Sequence, residues 1–286
     1  MTTRTYEYWR SGLPAPRWRL APPLRAQVAL ALRDLAGGLR DWRLWTFMAQ
    51  HDIRQRYRRS TLGPLWLTFG LAINVTAIST IWSHLLSLNP RDFVPYLTLG
   101  MMVWNLITGM VVEGCHSFIA ATGYITQTNR PLSTYILLVI WRNYLVASHS
   151  LLVYLGVALT FQVTPNLNTL WLVPGLIVLM LSTSWPPMLL GILSARFRDI
   201  PAIVQNVLSV AFFLTPVLWR AEQLGDRAFF AVLNPLTHII TLVRAPLLGL
   251  PISAQSWKFA LATAAIGWAL TIAVFARSRA RIPYWL

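Results

Sequence analysis

Charged side chains are scarce in this chain, and acidic ones are the scarcest. Of its 286 residues, 12% are charged and 56% are hydrophobic, whereas a soluble domain usually has about 25% charged residues. Nine Asp or Glu oppose 24 Lys or Arg, which gives a net charge of +15. Such a charge raises the question of nucleic-acid binding, but the arginines flank apolar stretches and share no polar face. The composition therefore indicates a membrane protein, and nucleic acid is not an expected partner.

Cysteine and lysine each occur once, and this excludes several kinds of active site. Cys115 alone makes no internal disulfide and no cysteine cluster for zinc or iron–sulfur. Lys258 follows no glycine-rich loop, so the GxxxxGK(S/T) motif that holds ATP phosphates is missing. A nucleophile elbow and a zinc-protease motif are missing too. We therefore expect no catalysis, no cofactor and no metal site in this chain. Any active transport would draw on an ion gradient or another subunit.

Long apolar stretches make up most of the remaining chain. Residues 60–90 contain no Asp, Glu, Lys or Arg, and neither do residues 143–195. About 20 apolar residues are enough to cross a hydrocarbon core of about 30 Å as a helix. The expected fold is an all-α polytopic membrane protein with six transmembrane helices. The predicted spans are residues 65–88, 93–118, 143–161, 170–195, 200–219 and 257–276.

Basic residues are distributed unevenly between the segments that join these spans. The segments on one side hold nineteen Lys or Arg, and those on the other side hold five. Clustered basic residues mark the cytoplasmic side of a membrane protein, by the positive-inside rule. Since six spans place both termini on one side, we expect both termini in the cytoplasm.

The N-terminal part of the chain is predicted to lie on the inner side of the membrane. Residues 1–40 form a cytoplasmic tail rich in Pro and Arg, with a short helix over 24–35 that stops at Gly37-Gly38. Residues 41–60 form an amphipathic helix in the inner membrane interface, and residues 61–286 form the transmembrane domain. The apolar face of the amphipathic helix holds residues at spacings of three and four: Trp42, Trp45, Ala49, Ile53 and Tyr57.

Two apolar segments between the fifth and sixth spans are each too short to cross the membrane. They lie within residues 228–250, and Asn234-Pro235 between them is typical of an N-cap followed by proline at the first helical position. A re-entrant helix pair that dips back from the outer surface fits this pattern, provided that its backbone packs in protein or faces water. Two helices resting on the outer surface are the alternative.

A few polar and aromatic residues inside the apolar stretches are candidates for function. Glu113 is the only acid within a predicted span, and an intramembrane acid is a functional candidate by default. His116 lies on the same helix face, so the two side chains are expected to pair. Candidate channel residues are Trp66, Trp82, Tyr96, Trp104 and Glu113. The aromatic ones have an alternative role in the interface belts that Trp and Tyr form at span ends.

Several stretches together resemble one family of membrane proteins. RQRYRRSTLGPLW at residues 54–66 resembles the entry to the first span of ABC-2-type permeases from bacterial polysaccharide exporters. ARFRDIPAIVQNVLSVAFFLTPVLW at 195–219 is similar to their loop into the fifth span. Asn234-Pro235 followed by VRAPLLG at 243–249 resembles their outer re-entrant pair, and Arg142-Asn143 with His149 fits the start of their third span.

This resemblance implies a homodimer in the bacterial inner (plasma) membrane, with two copies of a separate ATPase subunit that bind ATP and Mg. The cargo would be a lipid-linked polysaccharide, as for O-antigen, capsule or teichoic acid.

The resemblance also implies functional sites in this chain. The residues that would contact the ATPase are Arg54, Gln55, Arg56, Arg58, Gln127, Asn129 and Arg130. The inner loop would hold Arg196, Arg198 and Asp199, and the outer re-entrant pair Asn234, Pro235 and Arg244.

Each of these assignments has an alternative. The arginines of the inner segments are also suited to anchoring on lipid phosphates, and Asp199 is expected to pair with a neighbouring arginine. At the level of function, an ABC-2 exporter of drugs or lipids has the same sequence features. An ion-coupled carrier or a membrane-embedded enzyme is favoured less, because such carriers usually have several intramembrane acids.

Overall fold

The computed structural model describes residues 23–286 except 61, 62, 64, 86, 222, 224 and 226–228. Residues 1–22 of the predicted tail, Pro64 and Arg227 lie outside the described residues. The part described is all-helical and contains no strand. Its α-helices are α1 Leu24–Arg40, α2 Trp42–Arg56, α3 Leu65–Leu85, α4 Pro90–Ala120, α5 Thr122–Gln127, α6 Ser133–Thr160, α7 Leu172–Arg196, α8 Ile200–Leu214, α9 Phe229–Leu233, α10 Pro235–Leu247, α11 Ala254–Ser278 and α12 Ile282–Trp285.

Helix α4 lies at the centre of the bundle. It packs against α6 and α7 over most of its length, and also against α3, α8 and α10. Asn89 caps the helix by accepting a hydrogen bond from the Arg91 amide (3.0 Å), and Pro90 follows at the first position. Phe93, Met110 and Phe118 are fully buried along it. The core of the protein is therefore built around this helix.

Four helices among the described residues are long and apolar enough to cross a membrane, judged by length and composition. They are Pro90–Gln127, Ser133–Thr160, Leu167–Arg196 and Ala254–Trp285, and they contain the predicted second, third, fourth and sixth spans. The predicted first span lies on the 21-residue α3. The predicted fifth span lies on α8, whose 15 residues extend about 22 Å, less than a hydrocarbon core of about 30 Å. Six spans therefore remain a prediction.

Two helix ends differ from the predicted span limits, and a tertiary contact explains the first difference while a proline explains the second. The third predicted span begins at residue 143, because Arg142 carries charge, but α6 begins at Ser133. Arg142 is tolerated inside the helix because it forms ion pairs with two carboxylates. The fifth predicted span ends at residue 219, but α8 ends at Leu214. Pro216 disfavours helical geometry in the residue before it, and the Val217 amide bonds to the Thr215 carbonyl at 2.6 Å.

Residues 24–40 of the predicted tail are part of the bundle, and the predicted stop at Gly37-Gly38 is wrong. Both glycines lie inside α1, which packs against α6 and α11. A Cβ on Gly37 would lie 3.0 Å from Pro131, and one on Gly38 would overlap Ser133. The glycines therefore allow close contact with the start of α6 and do not end the helix.

Asp34 on α1 fixes this contact. Its side chain is fully buried and accepts hydrogen bonds from the backbone amides of Leu132 (3.2 Å) and Ser133 (3.0 Å). Arg279, just after α11, donates to the same carboxylate at 2.8 Å. Leu132, at the N-cap position of α6, provides no side-chain cap, so Asp34 caps α6 from a neighbouring helix.

We predict that Asp34→Ala lowers the free energy of unfolding by about 3 kcal/mol, because it leaves Arg279 and two helix-end amides without their acceptor. The single cysteine, Cys115, is 1% exposed, so its labelling by a fluorogenic maleimide during heating reports unfolding. Asp41→Ala is the control, because it removes a partly exposed 3.6 Å pair with Arg130 and an N-cap carboxylate that accepts no hydrogen bond from α2, and it should cost about 1 kcal/mol. Equal losses for the two variants would contradict the capping role.

Candidate functional site

The amphipathic helix α2 lies against α6. Ala49 is fully buried there and packs with Leu138 and Val139, and the Trp45 ring meets Trp141 edge-on at 5.9 Å. Trp42, at the start of the predicted apolar face, is 55% exposed. The predicted apolar face of this helix therefore contacts protein over part of its length, and only its first residues remain available for the membrane surface.

Five polar side chains join α2, α4 and α6 near the C-terminal end of α2. The members of this inner charge cluster are Asp52, Arg56, Glu113, Arg142 and Asn143. Arg142 donates to Glu113 Oε2 through Nη2 (2.9 Å) and Nε (3.0 Å), and to Asp52 Oδ2 through Nη1 (2.6 Å). Asn143 Nδ2 also donates to Glu113 Oε2, at 2.8 Å, and Arg56 Nη2 lies 3.4 Å from Glu113 Oε1.

The strength of the cluster comes from the geometry and burial of Arg142. Its side chain is 14% exposed, against 25% for Glu113 and 39% for Asp52. At 2.9 Å and an effective dielectric constant of about 20, a pair of unit charges attract by roughly 6 kcal/mol before the cost of desolvation. Two arginines and two carboxylates also balance in charge. The cluster therefore holds three helices together without leaving a net charge at the bundle surface.

The predicted pairing of Glu113 with His116 is wrong. His116 is exposed and forms no hydrogen bond or ion pair within the part of the chain that the structure describes. Glu113 instead takes its partners from α2 and α6. The permanent charge and forked donors of Arg142 bind a carboxylate better than a nearby imidazole does. For the same reason Glu113 belongs to an ion cluster and does not stand alone as a channel residue.

The predicted ATPase-contacting residues are exposed, and they lie in two segments. Arg54, Gln55 and Arg58 are exposed at the end of α2, and Gln127, Asn129 and Arg130 are exposed at and after the end of α5. Arg130 contacts the opposite end of α2, because its Nη1 lies 3.6 Å from Asp41 Oδ2 just before that helix. Arg56 is also largely exposed but points to Glu113. Both segments are thus accessible in the structure, while their contact with a partner stays a prediction.

The inner loop before α8 contacts the C-terminal end of the chain. The guanidinium of Arg196 lies 5.3 Å from the Trp285 ring centre, and Arg198 Nη2 donates to the Trp285 carbonyl at 3.5 Å. The predicted pairing of Asp199 with an arginine is wrong, since no ion pair involves it among the residues described. Asp199 occupies the N-cap position of α8, where the helix dipole favours a negative charge.

At the other end of the bundle, the predicted helix start at Asn234-Pro235 is confirmed. Asn234 Oδ1 accepts a hydrogen bond from the Leu236 amide at 2.9 Å, and Pro235 is the first residue of α10. Most of α10 is buried against α4, α7 and α11. Arg244, also on α10, is 6% exposed; its Nη1 donates to the Pro216 carbonyl at 2.7 Å.

The predicted channel aromatics are not brought to one place. Trp66 is 61% exposed on α3, whereas Trp104 is 7% exposed and packs on Phe212 at 5.3 Å. Trp82 is partly buried against the core. The hydroxyl of Tyr96 donates to carbonyls in the turn after α8, at 3.1 Å from Pro216 and 3.0 Å from Trp219.

A groove that the sequence interpretation missed runs between α4 and α8. It encloses about 420 Å³, and its polar lining consists of Asn105, Thr108, Gln205 and Ser209, beside aromatic residues Trp104, Phe212 and Phe213. Asn105 and Gln205 are exposed, and α8 has no buried residue at all. In the sequence, Asn105 and Gln205 are each an amide side chain inside an apolar stretch. The neighbouring residues do not indicate that these two side chains lie at the same groove.

Comparisons with known proteins identify the family of this chain. A family model described as ABC-2 type transporter matches residues 43–248, which is more than half of the chain. The chain belongs to the ABC-2 type transporter family. It is similar to the O-antigen export system permease protein RfbA of Myxococcus xanthus, at 25% identity over 205 residues, 69% of this chain and 77% of that protein. An RfbA permease of Klebsiella pneumoniae is 22% identical over 199 residues, with the same coverage.

Membership of the ABC-2 transporter family confirms the resemblance noted in the sequence. ABC-2 proteins are the membrane subunits of transporters, so this chain is a multi-pass membrane protein and not itself an enzyme. The matched residues 43–248 include the inner charge cluster, the groove and α10. They leave out α1 and α11, so Asp34 and Arg279 lie outside the matched region, whereas Leu132 and Ser133 lie within it.

We predict that Arg142→Gln lowers the free energy of unfolding by about 3 kcal/mol, because it leaves Asp52 without a cation and Glu113 with only the more exposed Arg56. The double variant with Glu113→Gln should cost about 1 to 2 kcal/mol less than the sum of the two single changes. Arg130→Gln is the matched control and should cost less than about 1 kcal/mol. Strict additivity in the Cys115 labelling assay would show that the two residues act independently.

Proposed function

We propose that this chain is the membrane-spanning permease subunit of an ATP-driven exporter, and that it moves a lipid-linked polysaccharide from the cytoplasm across the bacterial inner membrane. The observation that carries the proposal is the groove between α4 and α8. The similarity to O-antigen export permeases supports the cargo class.

The composition of the groove suits a carbohydrate polymer. Amide side chains on Asn105 and Gln205 both donate and accept hydrogen bonds, as sugar hydroxyls require. Phe212 and Phe213 lie at the same groove and offer flat apolar faces for the C–H faces of sugar rings. Polar groups of this kind are costly against lipid, so on helices at membrane depth they face water or another protein surface.

A second copy of the chain completes the conduit. Helix α8 is apolar and has no buried residue within one copy, so it has little to hold it in place alone. Val207, Val210 and Phe213 are each more than 60% exposed along it. Pairing two copies through this side covers that apolar surface and encloses the two grooves, which gives a path wide enough for a polymer.

ATP hydrolysis acts on this conduit from the cytoplasmic side. Two ATPase subunits bind ATP and Mg, and each contacts the end of α2 and the segment after α5. The inner charge cluster ties α2 to α4 through Glu113, and α4 carries one wall of the groove. A displacement of α2 therefore reaches the groove along one continuous helix.

The topology that goes with this function has six spans, with α3 as the first and α8 as the fifth. Both termini lie in the cytoplasm, and α9 with α10 forms a re-entrant pair from the outer side. Burial of the α10 backbone against three longer helices supports re-entry, since backbone at membrane depth must pack in protein or face water.

We predict that topology reporters distinguish two sets of sites, because the basic residues hold one set in the cytoplasm. Fusions should report outside at Asn89, Asn166 and Gly225, and inside at Gly123, Phe197 and Leu286. The assay pairs an enzyme active only in the periplasm with one active only in the cytoplasm. A single site on the opposite side would overturn the six-span arrangement.

We predict that deleting the gene leaves lipid-linked glycan inside the cell and removes the polymer from the surface, while synthesis continues. Radiolabelled sugar should accumulate in membranes, protected from external glycosidase. Restoring the gene with Gln205→Leu should reduce surface polymer about tenfold, since a lost polar contact of about 1.4 kcal/mol in the transport barrier changes the rate by that factor.

Asn206→Leu is the matched control for this experiment. It makes the same kind of change one residue further along α8, outside the lining of the groove, and should export near the level of the unaltered chain. Immunoblots must show equal amounts of both variants in the membrane. If the deletion strain still displays its polymer and no glycan accumulates inside, the cargo is a drug or a lipid instead.

A further inference from the structure

Two arginines flank one tyrosine at the end of the bundle opposite the inner charge cluster. The guanidinium carbon of Arg244 lies 3.8 Å from the centre of the Tyr96 ring, and that of Arg220 lies 5.2 Å from the same centre. The two carbons are therefore at most about 9 Å apart. We call Arg220 and Arg244 the outer arginine pair.

The hydrogen-bonding capacity of this pair is only partly used. Arg244 is 6% exposed, yet its Nε and Nη2 atoms have no acceptor among the residues that the structure describes. Its Nη1 donates to the Pro216 carbonyl. Arg220 uses Nη2 on the carbonyl of Asp92, at 3.1 Å, and its buried Nε has no acceptor either.

Within the described part of the chain, which leaves out Glu222 and Asp226, the outer arginine pair forms no ion pair with any Asp or Glu. Asp92 is close but contributes its backbone carbonyl and not its side chain. The contrast with the inner charge cluster is direct, since Arg56 and Arg142 there meet two carboxylates. A buried cation is costly without a counter-ion, so a bound anion would stabilise the outer pair.

We propose that the outer arginine pair binds a phosphate group at the outer membrane surface. The group belongs either to a phospholipid headgroup or to the phosphate linkage of the exported glycan lipid. This placement rests on the proposed function, because the six-span topology puts these residues on the outer side. Guanidinium groups match phosphate oxygens in both charge and fork geometry.

The two arginines have different parts in this site. Arg220 is only half-buried, so it is the residue that an arriving phosphate reaches first. Arg244 lies deeper and adds its positive potential from behind the Tyr96 ring. Tyr96 and Arg244 both donate to the Pro216 carbonyl, which joins the turn after α8 to α10. A phosphate bound here therefore acts on the turn after α8 and on α10.

Thermal unfolding of the full-length chain in detergent tests this proposal, with Cys115 labelling as the readout. Three probes are compared at constant ionic strength: dioctanoyl phosphatidic acid, dioctanoylglycerol and inorganic pyrophosphate. A ligand of the folded state raises the unfolding midpoint, and we expect phosphatidic acid to raise it by about 2 °C or more. Dioctanoylglycerol, which has the same acyl chains without phosphate, should leave it unchanged.

Variants test whether the shift in the unfolding midpoint arises at the outer arginine pair. Arg220→Gln should abolish the shift, whereas Arg91→Gln, an exposed arginine at the start of α4, should retain it. Arg244→Lys keeps the charge but loses the contact of the guanidinium with the Tyr96 ring, and should retain a smaller shift than the unaltered chain. Should a variant unfold on its own, salt titration of the unaltered chain still decides, because about 1 M NaCl should remove an electrostatic shift.

The probes also separate the two sources of phosphate. A shift with phosphatidic acid alone assigns the site to lipid headgroups, and a shift with pyrophosphate as well assigns it to the linkage of the glycan lipid. No shift with either probe, an equal shift with dioctanoylglycerol, or an undiminished shift in Arg220→Gln would overturn the site. Binding is measured without transport, so a failure of glycan export leaves this result intact and points to the proposed function instead.

Discussion

The ion pair between Glu113 and Arg142 is the interaction on which the arrangement of this protein most depends. A charge removed from water must have a partner, and this chain has only nine acidic residues to offer. Because Arg142 reaches Glu113 and Asp52 at the same time, one side chain fixes the positions of α2, α4 and α6. Among the described acids, Asp34 serves α1 and α6 in the same way. Although acids are scarce, Glu113, Asp52 and Asp34 each join helices that are distant in sequence.

Long-range pairing also explains which parts of the fold could be predicted from the sequence. The long helices were predictable, because an uncharged stretch of about 20 residues usually crosses lipid as an α-helix. The residues at which these helices begin and end were harder to predict. The predicted third span begins after Arg142 because that residue is charged. Its carboxylate partners, which allow it to lie inside α6, are 29 and 90 residues away in sequence. Gly37-Gly38 signalled a helix end, but served the close contact of α1 with Ser133.

The candidate site shows the same limit more sharply. The sequence marks Glu113 as a functional candidate, but its carboxylate pairs with Arg142 on α6 and not with the neighbouring His116. Asn105 and Gln205 each stand in an apolar stretch, and only the packing of α8 on α4 makes them two sides of one groove. Helix starts such as Asn234-Pro235 were predicted correctly, because a cap is decided by neighbours in sequence. Interactions between helices lie beyond that local information.

The two ends of the bundle are held by different physical forces. Inner elements are joined by charge-balanced ion pairs, which are strong and directional. At the other end, Arg244 of α10 donates a charge-assisted hydrogen bond to the Pro216 carbonyl and contacts the ring of Tyr96 on α4, while the rest of α10 packs on α4, α7 and α11 through buried, mostly apolar residues. A hydrogen bond from a charged donor contributes about 1.5 to 3 kcal/mol, and the packing is not directional. The inner helices are therefore held in one geometry by paired charges, whereas the position of α10 depends on apolar packing and on one arginine side chain.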